Sequence, residues 1–287
     1  MSNVLLRYFR QAKSICMNPL ITVQQLSKIL NDPNLVVLDA SMANNKSGVA
    51  VDNENQQIKG ARFFDIKNKF SDTKSKFPNT IPIAEQFQEE AQILGINHNS
   101  RIVVYDNLGI YTSPRVWWLF KTFGHKNISV LNGGLPEWLA QGYPTEEKTI
   151  SNYKKGDFTA DLKTKNVRYF TDVKSNLKAQ EELVVDARSS GRFNGTSPEP
   201  RKDLRGGCIP GSVNIPYTEV LENGKYKSKQ ELKAIFESQI TNEQPLVFSC
   251  GSGITACIIL LASEIIGKKE TAVYDGSWTE WAQLEPK

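Results

Sequence analysis

The chain repeats itself once, and this repeat constrains its fold more than any other feature of the sequence. VVLDA at 36–40 recurs as VVDAR at 184–188, which carries Asp39 onto Asp186 after 147 positions. RIVVYD, ending at Asp106, recurs as PLVFSC, ending at Cys250, a separation of 144. GGLPEW ends at Trp138 and DGSWTEW at Trp281, 143 positions apart. The spacing also pairs Gly60, in IKGARFFDI, with Gly207, in GGCIPGSVNIP. Self-similarity at one long period signals a repeated structural unit, and 287 residues are enough for two ordinary domains.

Each half alternates short β-rich runs with helical stretches. ELVVDA and PLVFS read as strands buried on both faces, because Val and Leu run on without a period of two. SKQELKAIFES (228–238) reads as an amphipathic helix with Leu232, Ile235 and Phe236 on one face, and IAEQFQEEAQILG is its counterpart in the first half. Strand, tight loop and helix in alternation predict an α/β fold, each domain a mostly parallel central sheet with helices on both faces. The expected division is a first domain at 20–147, a polar linker at 148–165 and a second domain at 166–284.

Composition removes several classes of function. Thirty-five basic residues against 31 acidic leave a net charge of only +4, with no Arg-rich cluster or cysteine finger, so nucleic acid is not an expected partner. The longest apolar run, ACIILLA (256–262), is far short of the about 20 residues that cross a bilayer, so no membrane association is expected. Cys16, Cys208, Cys250 and Cys257 form no CxxC pair, and His98 and His125 are the only histidines, which leaves no expected metal site and no cofactor motif. Sparse cysteines suit a reducing compartment. Residues 1–31 hold Arg7, Arg10, Lys13 and Lys28 but no acid, and two readings of that segment stay open. It is either a short mitochondrial targeting segment or a basic, frayed terminus, so the expected location is cytoplasm or mitochondrion.

The reactive residue is expected at Cys250. In VFSCGSGITACIILLASEIIG a β run stops at the cysteine and a helical run begins near Thr255. Gly251 and Gly253 permit a turn whose N–H groups point inward at a helix N-terminus. A thiolate there is expected to titrate below an ordinary thiol, and a persulfide anion on the same sulfur would be held the same way. Cys257, within the apolar helix, reads as core; Cys208, in a glycine-rich loop, is open to a resolving role; Cys16 has no local context for chemistry. Asp106 stands where Cys250 belongs and cannot carry sulfane sulfur, so the first domain is expected to be non-catalytic and to wall the pocket. The aromatics of TSPRVWW (112–118) read as helix core, and Arg188 as a residue that orders its loop against an acid.

FFDI (63–66), SPRVWW (113–118), GRFNGTSPEPR (191–201), IPGSVNIP (209–216), CGSGITA (250–256) and YDGSWTEW (274–281) together resemble the tandem-domain sulfurtransferases, the rhodanese group that uses thiosulfate or 3-mercaptopyruvate. The loop CGSG resembles that of mercaptopyruvate-preferring members, which lack the charged side chains that suit thiosulfate. The resemblance implies sulfur transfer through a Cys250 persulfide from a small anionic donor to thioredoxin, another thiol or cyanide. It implies Ser252 as a catalytic hydroxyl, Arg192 and Arg201 as substrate arginines, and Gly251, Gly253, Ile254 and Thr255 as the rest of the binding loop. A monomer or weak dimer is expected.

Three positions depart from the family pattern. Mercaptopyruvate-using relatives carry an acid after FFDI and a histidine in the following Pro-rich run, where this chain has Lys67 and Asn79. Asp65 and Asp72 are candidate substitutes, and Tyr111 joins them as a candidate for the pocket wall. Cys208 occupies a usual histidine position. The alternatives are a thiosulfate sulfurtransferase and a relay protein that receives persulfide from a desulfurase. A cysteine phosphatase is excluded, because its loop needs an arginine where this chain has Ala256.

Overall fold

The computed structural model describes residues 18–43, 47–49 and 53–285. Cys16 and most of the basic N-terminal segment lie outside the described residues. Two five-stranded sheets hold the chain. The first runs in the order Leu20–Ile21, Ile128–Leu131, Arg101–Tyr105, Leu35–Asp39, Arg62–Phe63. The second repeats that order with Val167–Arg168, Thr271–Tyr274, Leu246–Ser249, Leu183–Asp186, Val213–Asn214. Every neighbouring pair in both sheets is parallel. The central strands are buried along nearly their whole length, as their Val-rich sequences require.

Asp39 and Asp186, Asp106 and Cys250, and Trp138 and Trp281 fall at equivalent points of the two domains. The pairing of Gly60 with Gly207 does not survive. Arg62–Phe63 lies beside Leu38–Asp39, and Val213–Asn214 beside Val185–Asp186, so the counterpart of Gly60 is Gly211. The second domain has a longer excursion after its Asp186 strand, and this excursion carries the arginines 192 and 201.

The helices follow local chemistry. Lys229–Gln239 starts at a capping box in which Ser228 and Glu231 satisfy each other's amides, and it buries Leu232 and Phe236. Ala256–Ile266 has no polar face across ACIILLA because it lies between its own strands and the first-domain helix Ser113–Thr122. These two equivalent helices meet at the domain boundary, so one apolar core runs through both domains. A hairpin, Leu221–Glu222 with Lys225–Tyr226, reaches back to the first domain, where Lys225 pairs with Glu137 at 3.1 Å and the Tyr226 amide meets Asn132 Oδ1 at 3.0 Å.

The polar segment before the second sheet is a strap rather than a loose tether. Thr145–Glu147 pairs antiparallel with Gln56–Ile58, and Lys148 reaches the buried Asp39 at 3.1 Å. Further on, the Gly156 amide donates to Gln92 O at 2.8 Å, and Phe158 is buried against Phe87 and Phe120. Its attachment is mostly through main-chain hydrogen bonds, which composition does not reveal.

Arg115 fastens the domains across this boundary. Its guanidinium leaves the first-domain helix and pairs with second-domain Asp275 at 2.8 Å, both side chains essentially inaccessible. Removing one partner of such a pair strands the other charge. Arg115→Met should therefore cost about 3–5 kcal/mol of stability, measured as an earlier urea unfolding transition; a midpoint equal to wild type would contradict this role.

Candidate active site

Cys250 ends the strand Leu246–Ser249 and lies at the base of a cleft of about 490 Å³ between the domains. Its position is set by the following strand–helix corner. The Cys250 amide donates to Ser277 Oγ at 3.2 Å, and its carbonyl accepts from the Trp278 amide at 3.0 Å. Gly253, at φ +78°, turns the chain back toward the helix, with Asp275 O and Arg115 packed where a side chain would stand. Gly251 leaves room for Arg192, whose Nη2 lies 3.0 Å from the place a Cβ would occupy.

The first domain shows what this loop does when its strand ends in a carboxylate. Asp106 accepts from the amides of Leu108, Tyr111, Thr112 and Ser113 at 2.9–3.0 Å, and from Ser113 Oγ at 2.6 Å. That loop is an anion nest filled by its own side chain. In the second domain the amides of residues 251–255 donate to no protein acceptor among the described residues.

Ser252, Ile254, Thr255 and Gly251 line the cleft, together with Arg192, Arg201, Asp65, Lys67, Asn79 and Tyr111. Asp72 and Gly253 do not line it. Asp72 instead accepts from the Lys74 amide in its own turn, so the structure removes it from the candidates for proton handling. Asp65 is occupied by the Asn68 amide and side chain at 2.9–3.1 Å. Asn79 is the residue that reaches the hydroxyl, with its Nδ2 3.0 Å from Ser252 Oγ. Tyr111 packs edge-on against second-domain Tyr217, ring centroids 5.9 Å apart, closing one wall.

The two arginines expected to bind substrate, Arg192 and Arg201, both line the cleft but differ in their surroundings. Arg192 is clamped by Glu199, with Nε and Nη2 at 3.1 and 2.6 Å from its two oxygens. Arg201 donates from Nη1 to Thr279 Oγ1 at 2.9 Å and has no acidic partner among the described residues. Thr279 in turn donates to Gly251 O at 2.5 Å, tying Arg201 to the loop. Arg188 is fully occupied by Asp186, Glu199 and the Gly207 carbonyl, and it stacks on Trp278; it orders the loop, as its sequence context suggested. The cationic character of the cleft therefore rests chiefly on Arg201 and on Lys67, which also has no ion-pair partner among the described residues.

Arg115, Asp275, Glu199, Thr279 and Ser277 were absent from the sequence-derived site. The available signal for Arg115 was a charge inside an otherwise buried helix: Pro114 to Leu119 are all inaccessible, and the guanidinium is too. Among the described residues no cluster of His, Cys, Asp and Glu could hold a metal ion.

A fold of two equivalent parallel α/β domains, with a cysteine loop in one of them facing the boundary, defines a class. The rhodanese-like domain family matches the sequence twice, over residues 22–141 and 170–284. This chain belongs to the tandem rhodanese-domain sulfurtransferase family. It is 42% identical over 272 residues to 3-mercaptopyruvate sulfurtransferase of Mus musculus, 91% of each chain. It is also 40% identical over 260 residues to thiosulfate sulfurtransferase of Rattus norvegicus, 88% of this chain and 87% of that one. The crystal structure of SseA from Escherichia coli, a 3-mercaptopyruvate sulfotransferase, superposes with a TM-score of 0.81 at 34% identity, covering 91% of this chain and 99% of SseA.

Both cysteines are buried, but Cys250 lines the cleft and Cys257 does not. Cys257 is fully buried, and its thiol donates to Gly253 O at 3.3 Å. Burial pushes this thiol from 9.0 up to about 12, the Arg115 charge opposing only part of the shift. A thiol raised on folding keeps its proton in the native state after the unfolded chain has lost it, so its contribution to stability is present below pH 9.0 and lost as pH rises toward about 12. Iodoacetamide at neutral pH should therefore label Cys250 and spare Cys257, and Cys257→Ala should flatten the alkaline loss of stability; mapping the label by peptide mass and following unfolding against pH checks both.

Proposed function

We propose that the protein moves sulfane sulfur from 3-mercaptopyruvate through a persulfide on Cys250 to a thiol acceptor, thioredoxin or another thiol. The comparison of the two equivalent loops carries this reading. The carboxylate oxygens of Asp106 lie two bonds beyond Cβ, and the outer sulfur of a Cys250 persulfide would lie the same two bonds beyond its own Cβ. The amides that close on a carboxylate in one domain have counterparts at 251–255 with no acceptor among the described residues, which supports a persulfide anion held there.

The chemistry balances on this chain's own groups. Cys250 thiolate attacks the donor sulfur; an S–S bond forms and the C–S bond breaks, its electron pair passing into pyruvate enolate. The enolate takes one proton, from the persulfide S–H or from solvent, and leaves as pyruvate. An acceptor thiolate then removes the outer sulfur and returns Cys250 to thiolate. Arg201, with Nε and Nη2 uncommitted among the described residues, supplies the fork for the donor carboxylate. The likeness to 3-mercaptopyruvate sulfurtransferase of Mus musculus and the uncharged Gly251–Ser252 pair support this donor.

Lys67 favours a second reading. It adds to the cleft wall a cation with no ion-pair partner among the described residues, which suits the thiosulfate dianion. Loading the purified protein with each donor and weighing it separates the two. The expected result is a gain of one sulfur atom on Cys250 with mercaptopyruvate, slower with thiosulfate, and absent in Cys250→Ser. Arg201→Ala should raise KM for mercaptopyruvate by about 10-fold or more. Loading that persists in Cys250→Ser, or faster loading by thiosulfate, would reject the first reading.

A further inference from the structure

Ser252 carries a single proton, and the direction in which that proton points decides what the hydroxyl can do. Asn79 Nδ2 lies 3.0 Å from Ser252 Oγ and 3.5 Å from the Ser252 carbonyl oxygen. A carbonyl only accepts, so the end of the amide that faces Ser252 is the NH2 group and not the oxygen. An NH2 group only donates. Ser252 Oγ is therefore the acceptor in this bond, and its own O–H is left over. Among the described residues that O–H meets no protein acceptor, while Ser252 lines the cleft beside Cys250.

Asn79 is fixed from both sides. It sits at φ +61°, a left-handed conformation that Asn tolerates better than most side chains. Its carbonyl accepts from Arg115 Nη2 at 2.7 Å, and two residues on, the Ile81 amide donates to Asp275 Oδ2 at 2.6 Å. Arg115 Nη1 also donates to Gly253 O at 3.3 Å. One buried ion pair thus holds the Asn79 turn of the first domain against the Cys250 loop of the second.

We propose that Asn79 is a positioning residue that locks Ser252 as a hydrogen-bond donor into the cleft, serving the oxygen on which charge grows as the sulfur donor's leaving group departs. This rests on the sulfurtransferase reading above and deepens it. The leaving group is an enolate from mercaptopyruvate or sulfite from thiosulfate, and both carry such an oxygen. Ser252 gives a hydrogen bond and keeps its proton, because Asn79 cannot accept or replace one. The site thereby works without a titrating group behind its hydroxyl. The histidines are elsewhere: His125 is buried against Ser100 O and His98 pairs with Asp157 at the surface.

The test reverses the polarity. A carboxylate at position 79 only accepts, so Asn79→Asp draws the Ser252 proton away from the cleft. Wild type, Asn79→Asp, Ser252→Ala and the double variant are compared in steady state across pH, with mercaptopyruvate and with thiosulfate. Asn79→Asp should lower kcat by about 10- to 100-fold, with KM little changed. The ratio of its kcat to that of wild type should climb as pH falls, because a protonated carboxyl regains a donor. In the Ser252→Ala background the substitution should have no further effect. Activity equal to wild type, a loss independent of pH, or an equal loss in the Ser252→Ala background would each overturn the proposal. Should Asn79→Asp fail to fold, Asn79→Ala decides by the same cycle: a loss absent from the Ser252→Ala background supports the role, and one that persists there overturns it. The ratios are taken on whichever donor the wild type turns over, so a wrong donor assignment and a wrong role for Asn79 give different results.

Discussion

The Arg115 guanidinium crosses from the first domain into the second and is buried there against Asp275. Desolvating both charges is costly, and the arrangement is tolerable only because nearly every donor and acceptor finds a partner of fixed geometry. Those partners are the Asn79 carbonyl, the Gly253 carbonyl and the Ile81 amide. The position of the Asn79 turn, the course of the loop behind Cys250 and the fit between the domains are thus tied to a single ion pair. The cleft has its shape because these groups cannot move independently.

Two copies of one unit have been put to different uses within this frame. In the first, Asp106 fills its own loop with a carboxylate and makes it a rigid wall. In the second, Cys250 takes that place and the amides of 251–255 are uncommitted among the described residues. The strand-end acids diverge in parallel. Asp186 holds the buried Arg188, and through it Glu199 and the arginine loop, whereas Asp39 accepts from Ser41 and forms an ion pair with Lys148 of the strap. The longer excursion of the cysteine-bearing half brings Arg192 and Arg201 to the cleft wall.

The cleft has an uneven charge distribution. Arg188 and Arg192 share Asp186 and Glu199, so this cluster is close to neutral. Arg201 and Lys67 supply the net positive field, and Asp65 is turned to Asn68. The cleft is thus lined by cations from both domains, Lys67 from the first and Arg201 from the second.

The sequence alone determined the duplication, the parallel α/β grammar of each copy and the cysteine loop. These features are written in short stretches: Val-rich strand runs, glycines at a turn, a capping serine, a motif of a few residues. Tertiary structure alone decided that Asn79 meets Ser252, 173 positions away, and that Arg115 meets Asp275, 160 positions away. It also decided that Gly60 answers to Gly211, that Asp72 stands outside the cleft and that the polar connector is a packed strap. Periodicity and turn chemistry act between near neighbours in the chain and can be read there. Contacts across a domain boundary depend on how two finished units dock, and that geometry has no local trace in either.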